Sequence, residues 1–538
     1  MKQKLFLLLL LAVHLAGVSM AQNAYNRVID VQHYTFTLEL NDINDEIKAT
    51  AAIKLVFRQN ANAISLDLVG KNGRGKGMLV TAVAEDGLTL AHQQAGDKLI
   101  IQLRESARAG DTATYLVSYT GAPGNGLVFS KNKFKQRTIF ADNWPNRARY
   151  WLPCVDHLSD KAGVDFIVTA PSHYKVISNG ELIEESSTGA GLKLTHWREN
   201  IPLPTKVMVI GLADFAVNIA GNIDCIPVSS WVFPADKEKG FYDYAQALEI
   251  LPFFIKTIGA YPYKKLANVE AITIFGGMEN AAAIFYSERS ITGKRGYSEE
   301  LIAHEIAHQW FGNAATESGW PHVWLSEGFA TAMTNYYLEN KYGVDTLKAR
   351  LTADRKTIFD FEKERFTPVV DSSEKLNYMA LLNRNSYEKG GWVLHMLRRK
   401  LGDDLFWKGI RRYYELYSGK NASTDDFKKV MEAVSSISLT EFFQQWLYSP
   451  GHPSLDINWK YDEAKKSIQL KVTQLQTTLF SFQLEMVFKQ GNTAADQQTI
   501  ISIKDRTTQI TLKMATKPTR VITDPSVHLL FQSLIREQ

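Results

Sequence analysis

Cysteine is nearly absent, with two residues in 538, Cys154 and Cys225. So small a number excludes a disulfide framework; one bridge between them and two free thiols both stay open. An excess of either charge is lacking as well. Lys and Arg number 61 against 57 Asp and Glu, a formal net charge of +4, and no basic run interrupts the chain. That balance excludes the electrostatic footprint of a nucleic-acid or membrane-surface binder. Internal repeats and low-complexity tracts are missing, and after residue 21 no apolar run is long enough to span a bilayer.

Core material is plentiful. The chain is 45% hydrophobic and 11% aromatic, enough for sizeable cores, and its length suggests about three or four domains. Residues 1–21, MKQKLFLLLLLAVHLAGVSMA, combine a basic start, an apolar stretch from Leu5 to Val18 and a small-residue site at Ser19-Met20-Ala21. This predicts a signal peptide cleaved after Ala21, hence export to a periplasm or to the outside. The segment holds no Cys for a lipid anchor, and removing Lys2 and Lys4 takes the formal charge from +4 to +2.

Residues 22–220 read as strands: VIDVQHYTFTLEL, EIKATAAIKLVF and ATYLVSYT alternate apolar and polar between Gly-, Asn- and Asp-bearing turns. From 221 to 450 the period turns helical, as in SYEKGGWVLHMLRRKLG and LFWKGIRRYYELY, with NVEAITIF as a strand ending at Gly276-Gly277. PGHPS at Pro450–Ser454 marks a boundary, and short strands such as SIQLKVTQL and FQLEMVF fill 451–538. The expectation is an α+β multidomain chain with an all-β N-terminal domain and a C-terminal β-sandwich.

One passage organises the chemistry. SEELIAHEIAHQWFG places Leu301, Ile302, Ile306, Trp310 and Phe311 at helical spacing, with Gly312 as the predicted stop. His304 and His308, four apart, project from one face and can share a zinc ion. Glu305, inside the H-E-x-x-H motif, is placed to act as general base on an activated water. Glu327, early in the next predicted helix LSEGFATAMTNYYLENKYG, is the candidate third ligand, which leaves a fourth position open.

HEIAHQWFGN followed by WLSEGFA resembles the aminopeptidase-N family of gluzincin zinc peptidases. FGGMEN at Phe275–Asn280 is similar to that family's exopeptidase signature, and SYEKGGWVLHML at Ser386–Leu397 to its catalytic-tyrosine segment; the three motifs come in the family's order. The resemblance implies one Zn²⁺ per chain on His304, His308 and Glu327, within a thermolysin-like catalytic domain behind a saddle-like β domain. Many members continue into a large helical domain; none is expected within this chain. Tyr387 then stabilises the oxyanion, with Tyr378 as the fallback. Gly276, Gly277, Met278, Glu279 and Asn280 bind substrate: the glycines let a peptide backbone approach, and Glu279 meets its free α-ammonium.

One stretch departs from the family. Where an acidic or amide side chain usually precedes the Ala-Arg pair, Asp142-Asn143-Trp144-Pro145 precedes Ala148-Arg149. Either Asp142 substitutes or Glu279 works with less help, while Trp144 shapes the first substrate pocket. Asn313, Trp320 and Trp324 match family context and read either as supports behind site residues or as packing, not as site residues themselves, and Asn421-Ala422-Ser423 is a weak glycosylation sequon. The implied activity is removal of amino-terminal residues from peptides with a free N-terminus, with no nucleic-acid partner and no membrane span. The rivals are a thermolysin-type endopeptidase, the epoxide hydrolysis of one family branch, and a peptide-binding module impaired in catalysis.

Overall fold

The computed structural model describes residues 28–373, 377–491 and 495–538; the predicted leader at 1–21 lies outside them. Among the described residues no helix is long and apolar enough to cross a membrane.

The N-terminal part is built of strands. Ile29–Glu39 turns Ile29, Val31, Tyr34, Phe36 and Leu38 inward, with one irregularity in register between Val31 and His33. It runs parallel to Lys161–Pro171 and antiparallel to Ile47–Phe57 within an eight-stranded sheet. A separate four-stranded sheet holds Arg137–Ala141 between Leu127–Lys131 and Ile210–Ala213. The chain leaves Ala141 at Asp142 and carries Trp144, through a cis Trp144–Pro145 bond, towards the helical part.

The next sheet is five-stranded, and its first member, Ala216–Ile223, pairs antiparallel with Ile226–Val232. The expected boundary between 220 and 221 therefore falls within a strand. The strand reading of NVEAITIF also needs correction. The strand is Leu266–Ala271; Gly277–Met278 forms a separate short strand, antiparallel to Ala283–Ser287 at the sheet's edge. Alternation alone could not reveal that residues 272–276 leave the sheet.

The helix Trp324–Tyr342 is buried on nearly all sides, enclosing Leu325, Phe329, Ala330, Met333 and Tyr336 together with polar Ser326, Glu327, Thr334 and Asn335, so it lies inside its domain. It packs against Arg295–Ala307 and against Gly390–Leu401. The second contact is glycine on glycine: a Cβ on Gly328 would stand 2.9 Å from Gly390 Cα. The regular helix ends at Ala307, before the predicted stop; Gly312, at φ 113°, comes after the turn that follows.

Ser454–Asp462 opens the C-terminal part, antiparallel to Ser467–Gln474 and parallel to Gln532–Glu537 in a four-stranded sheet, beside a three-stranded one centred on Phe482–Lys489. Cys154 is buried and Cys225 exposed, and both are free thiols. The amide of Asn421 donates to the carbonyls of Leu158 at 2.8 Å and Glu317 at 3.1 Å, which takes it away from the sequon role.

Candidate active site

His304 sits in the last turn of its helix and His308 caps it, so the two rings lie edge to face with centroids 4.7 Å apart. His308 Nδ1 faces the Phe311 carbonyl at 3.1 Å, which holds a proton on Nδ1 and turns Nε2 towards Glu327 and His304. Glu327 comes from the first turn of the neighbouring helix. The three ligand atoms form a small triangle: His304 Nε2 to His308 Nε2 3.1 Å, His308 Nε2 to Glu327 Oε2 3.2 Å, and His304 Nε2 to Glu327 Oε2 3.4 Å.

Two observations test whether zinc fits this triangle. Ligands at 2.0–2.1 Å in a tetrahedron stand about 3.3–3.4 Å apart, close to each measured edge. Glu327 Oε2 is buried and has no aligned hydrogen-bond donor. Two imidazole nitrogens and a carboxylate oxygen so close to one another suit a cation between them. The residues fit a tetrahedral divalent ion with one vertex open.

His304, Glu305, His308, Glu327, Glu279 and Tyr387 all line one cavity of about 220 Å³, with Gly276, Gly277, Met278 and Trp144 around it. The motif also led to the expectation of Asn280 here, but that side chain is fully buried and does not line the cavity. A second hollow of about 520 Å³ adjoins, sharing Phe275, Gly276 and Leu301. Gly277 has no latitude for a side chain: a Cβ there would fall 2.3 Å from Glu305 Oε1. The edge strand thus lies directly on the carboxylate of the HExxH helix.

Burial raises Glu305 well above the usual carboxylate range; His308 opposes the shift, while Glu279 and Glu327 add to it. Burial alone would lower His308, but the Glu327 carboxylate outweighs it and pushes the imidazole up to about 10. Burial would likewise raise Glu327, yet His308 and His304 hold it well below its ordinary value. Three carboxylates around one cavity make a negative field that favours a cation and an ammonium group.

The Tyr387 ring stacks on His304, 5.9 Å between centroids at 12°, and its hydroxyl faces Glu327. Tyr378 instead stacks on Trp320 at 5.1 Å and does not line the cavity. Glu279 Oε1 is buried without a hydrogen-bond partner. Its main-chain carbonyl accepts from Gln309 Nε2 at 2.8 Å and Asn313 Nδ2 at 2.6 Å. Asn313 therefore supports a site residue, one of the two readings the sequence left open for it; Gln309 was missed, its only signal being its place directly after the motif. Asp142 is turned onto Arg147 and does not line the cavity. Burial pushes it up to about 6 against the pull of Arg147, and the Glu279 charge adds to the rise. Trp144 meets Phe275 at 6.1 Å and Trp320 at 5.1 Å, both edge on, making an aromatic wall. Behind it, buried Lys206 pairs with Glu317 at 2.7 Å, a contact no local pattern signals.

Comparison with known families settles the lineage. The Peptidase M1 N-terminal domain matches residues 30–207 and the Peptidase family M1 domain matches residues 242–446. The chain belongs to peptidase family M1. The matched M1 regions carry the cleft segment at Trp144 and every ligand of the triangle. Relatives include Aminopeptidase M1-A of Oryza sativa subsp. japonica, 26% identical over 67% of this chain and 43% of its own length. Probable aminopeptidase 1 of Sulfurisphaera tokodaii is 25% identical over 81% and 55% respectively. Glutamyl aminopeptidase of Homo sapiens is 27% identical over 70% and 40%. The chain spans about half the length of the curated relatives it matches.

Proposed function

We propose that this M1 chain is a zinc-dependent aminopeptidase that hydrolyses the first peptide bond of substrates with a free amino terminus. The observation that carries the reading is the ligand triangle beside an unpartnered buried carboxylate, Glu279, in one cavity. His304, His308 and Glu327 would hold the zinc. When bound there, zinc supplies Lewis acidity, polarising a carbonyl and lowering the pKa of a water towards ~7.

The chain's own groups do the rest. Glu279 accepts hydrogen bonds from the substrate's α-ammonium, and this anchor places the first peptide bond, rather than an internal one, over the ligand triangle. The Gly277–Met278 edge offers main-chain hydrogen bonds to an extended peptide. Glu305 takes a proton from the attacking water as its oxygen bonds to the carbonyl carbon. The same carboxyl then gives that proton to the amine nitrogen as the C–N bond breaks. Tyr387 donates its hydroxyl hydrogen to the oxyanion.

Trp144, with Phe275, walls the pocket for the first side chain. Trp144→Ala should shift side-chain preference towards larger residues on an aminoacyl anilide panel; an unaltered preference order would remove Trp144 from the pocket. The decisive comparison for the function pairs free peptides with their N-acetylated forms. Free peptides should be cut from the amino end one residue at a time and acetylated ones spared; internal cleavage of both would make the chain an endopeptidase.

The finer architecture is part of the same reading. Support for a thermolysin-like catalytic domain comes from the mixed sheet with its edge strand on the HExxH helix, and for a C-terminal β-sandwich from the two sheets after Pro450. Domain limits near 214 and 450 follow from the sheet membership of Ala216–Ile223 and Ser454–Asp462. Export after cleavage at Ala21 rests on the composition of residues 1–21.

A further inference from the structure

The turn that carries Tyr387 is wound wider than its neighbours. Asn385–Lys389 form one π-helical turn, in which the Lys389 amide donates to the Arg384 carbonyl at 2.9 Å. Such turns persist where surrounding contacts hold them. Tightening it to an α-helical pattern would shift side chains by about 100° around the axis, the angle of one residue. The phenol would then leave His304.

The holding contacts come from outside the cleft. Lys389 is fully buried, and its ammonium donates to Glu362 Oε1 at 2.6 Å and to the Gly451 carbonyl at 2.9 Å. The other Glu362 oxygen takes the Nδ1 of His452, whose ring stacks on Phe359 with centroids 3.9 Å apart at 19°. Gly451 and His452 lie in Pro450–Ser454, the junction into the C-terminal strands. A second grip reaches the helix that continues from the turn. His395 Nε2 faces the Val527 carbonyl at 3.1 Å, while nearby Arg355 donates to Asp524 at 2.8 Å and to the Leu529 carbonyl at 2.7 Å. A buried ion pair of this kind is a weak source of net stability, since apolar side chains could pack the same space; what it specifies is geometry.

We propose that Glu362, Lys389 and His452 are positioning residues: together they tie the domain junction to the Tyr387 turn and set where the phenol stands over the ligand triangle. The C-terminal strands thereby contribute to turnover without touching substrate. The inference deepens the proposed function and rests on the role given there to Tyr387.

The test uses Lys389→Met and the milder Glu362→Gln in the full chain, so that either can answer if the other fails to fold. Hydrogen exchange should rise about tenfold or more in peptides covering 383–392 and stay unchanged over 300–311. On an aminoacyl anilide, kcat should fall about tenfold or more with KM within about twofold. In a Tyr387→Phe background the same substitution should lower kcat by less than about twofold, because the group it acts through is gone. Unchanged exchange over 383–392 would overturn the proposal, as would an equal loss of kcat in both backgrounds. Should Tyr387→Phe alone leave turnover intact, the tyrosine's catalytic role falls and the positioning role with it, whereas intact exchange with a working Tyr387 would sink the tether alone.

Discussion

Glu279, Glu305 and Glu327 share one cavity, and their surroundings divide their roles. Glu327 faces two imidazole nitrogens, Glu305 lies beneath the Gly277 backbone, and Glu279 leaves one oxygen buried and unpartnered. A carboxylate kept free in this way suits an incoming ammonium, whose loss leaves a buried acceptor unpaired. Glu279→Gln should therefore raise KM for free-amino substrates about 10- to 100-fold, read by initial rates across substrate concentration; an unchanged KM would remove the anchor. Tyr387→Phe should lower kcat about 10²- to 10³-fold with a small change in KM. Turnover near that of the parent would assign the oxyanion to another donor. The convergence of His304 and His308 was legible in sequence because i, i+4 spacing is local geometry. Asn280 was not: the motif that carries it runs on into the interior, and six consecutive letters do not say where the chain turns away from the cavity.

At the scale of elements, the site is the contact of an edge strand with a helix. Gly277–Met278 can lie on Glu305 only because residue 277 lacks a Cβ. Gly277→Ala should push the strand off or turn the Glu305 carboxylate aside, lowering kcat/KM about 100-fold while the zinc content stays near that of the parent, since the atoms nearest a Cβ at 277 all belong to Glu305. Loss of the metal together with the activity would show that the contact supports the ligands instead. Strands of the N-terminal sheet were readable from alternation, as in Ile29–Glu39, where one face is buried. The element that mattered most, a two-residue strand after a five-residue excursion, has no period to read. The early end of the HExxH helix at Ala307 was equally hidden, because the turn after it closes on contacts from Gly312 to Ala315.

For the molecule as a whole, the catalytic part is clasped from both sides. From the N-terminal side, Lys161 donates to the carbonyls of Asn313 at 3.2 Å and Ala314 at 2.8 Å, and Lys206 pairs with Glu317; both grips close on the stretch that follows the HExxH helix. From the C-terminal side, the Glu362 network reaches the Tyr387 turn. Apart from Glu362 and Lys389, these partners lie more than sixty residues apart, and one sequence carries no record of such pairings; the boundary read at 220 falls inside a strand for the same reason, since only sheet membership assigns Ala216–Ile223. What the sequence did carry was the order of the motifs, enough to foresee the converging imidazoles and carboxylate. The most direct test of that convergence is metal analysis of the purified chain coupled to aminoacyl anilide hydrolysis before chelation, after it, and after zinc is restored. One zinc per chain, activity lost on chelation and regained with zinc, and both missing together in Glu327→Ala is the expected result. Full hydrolysis by a chain free of divalent metal would contradict the account.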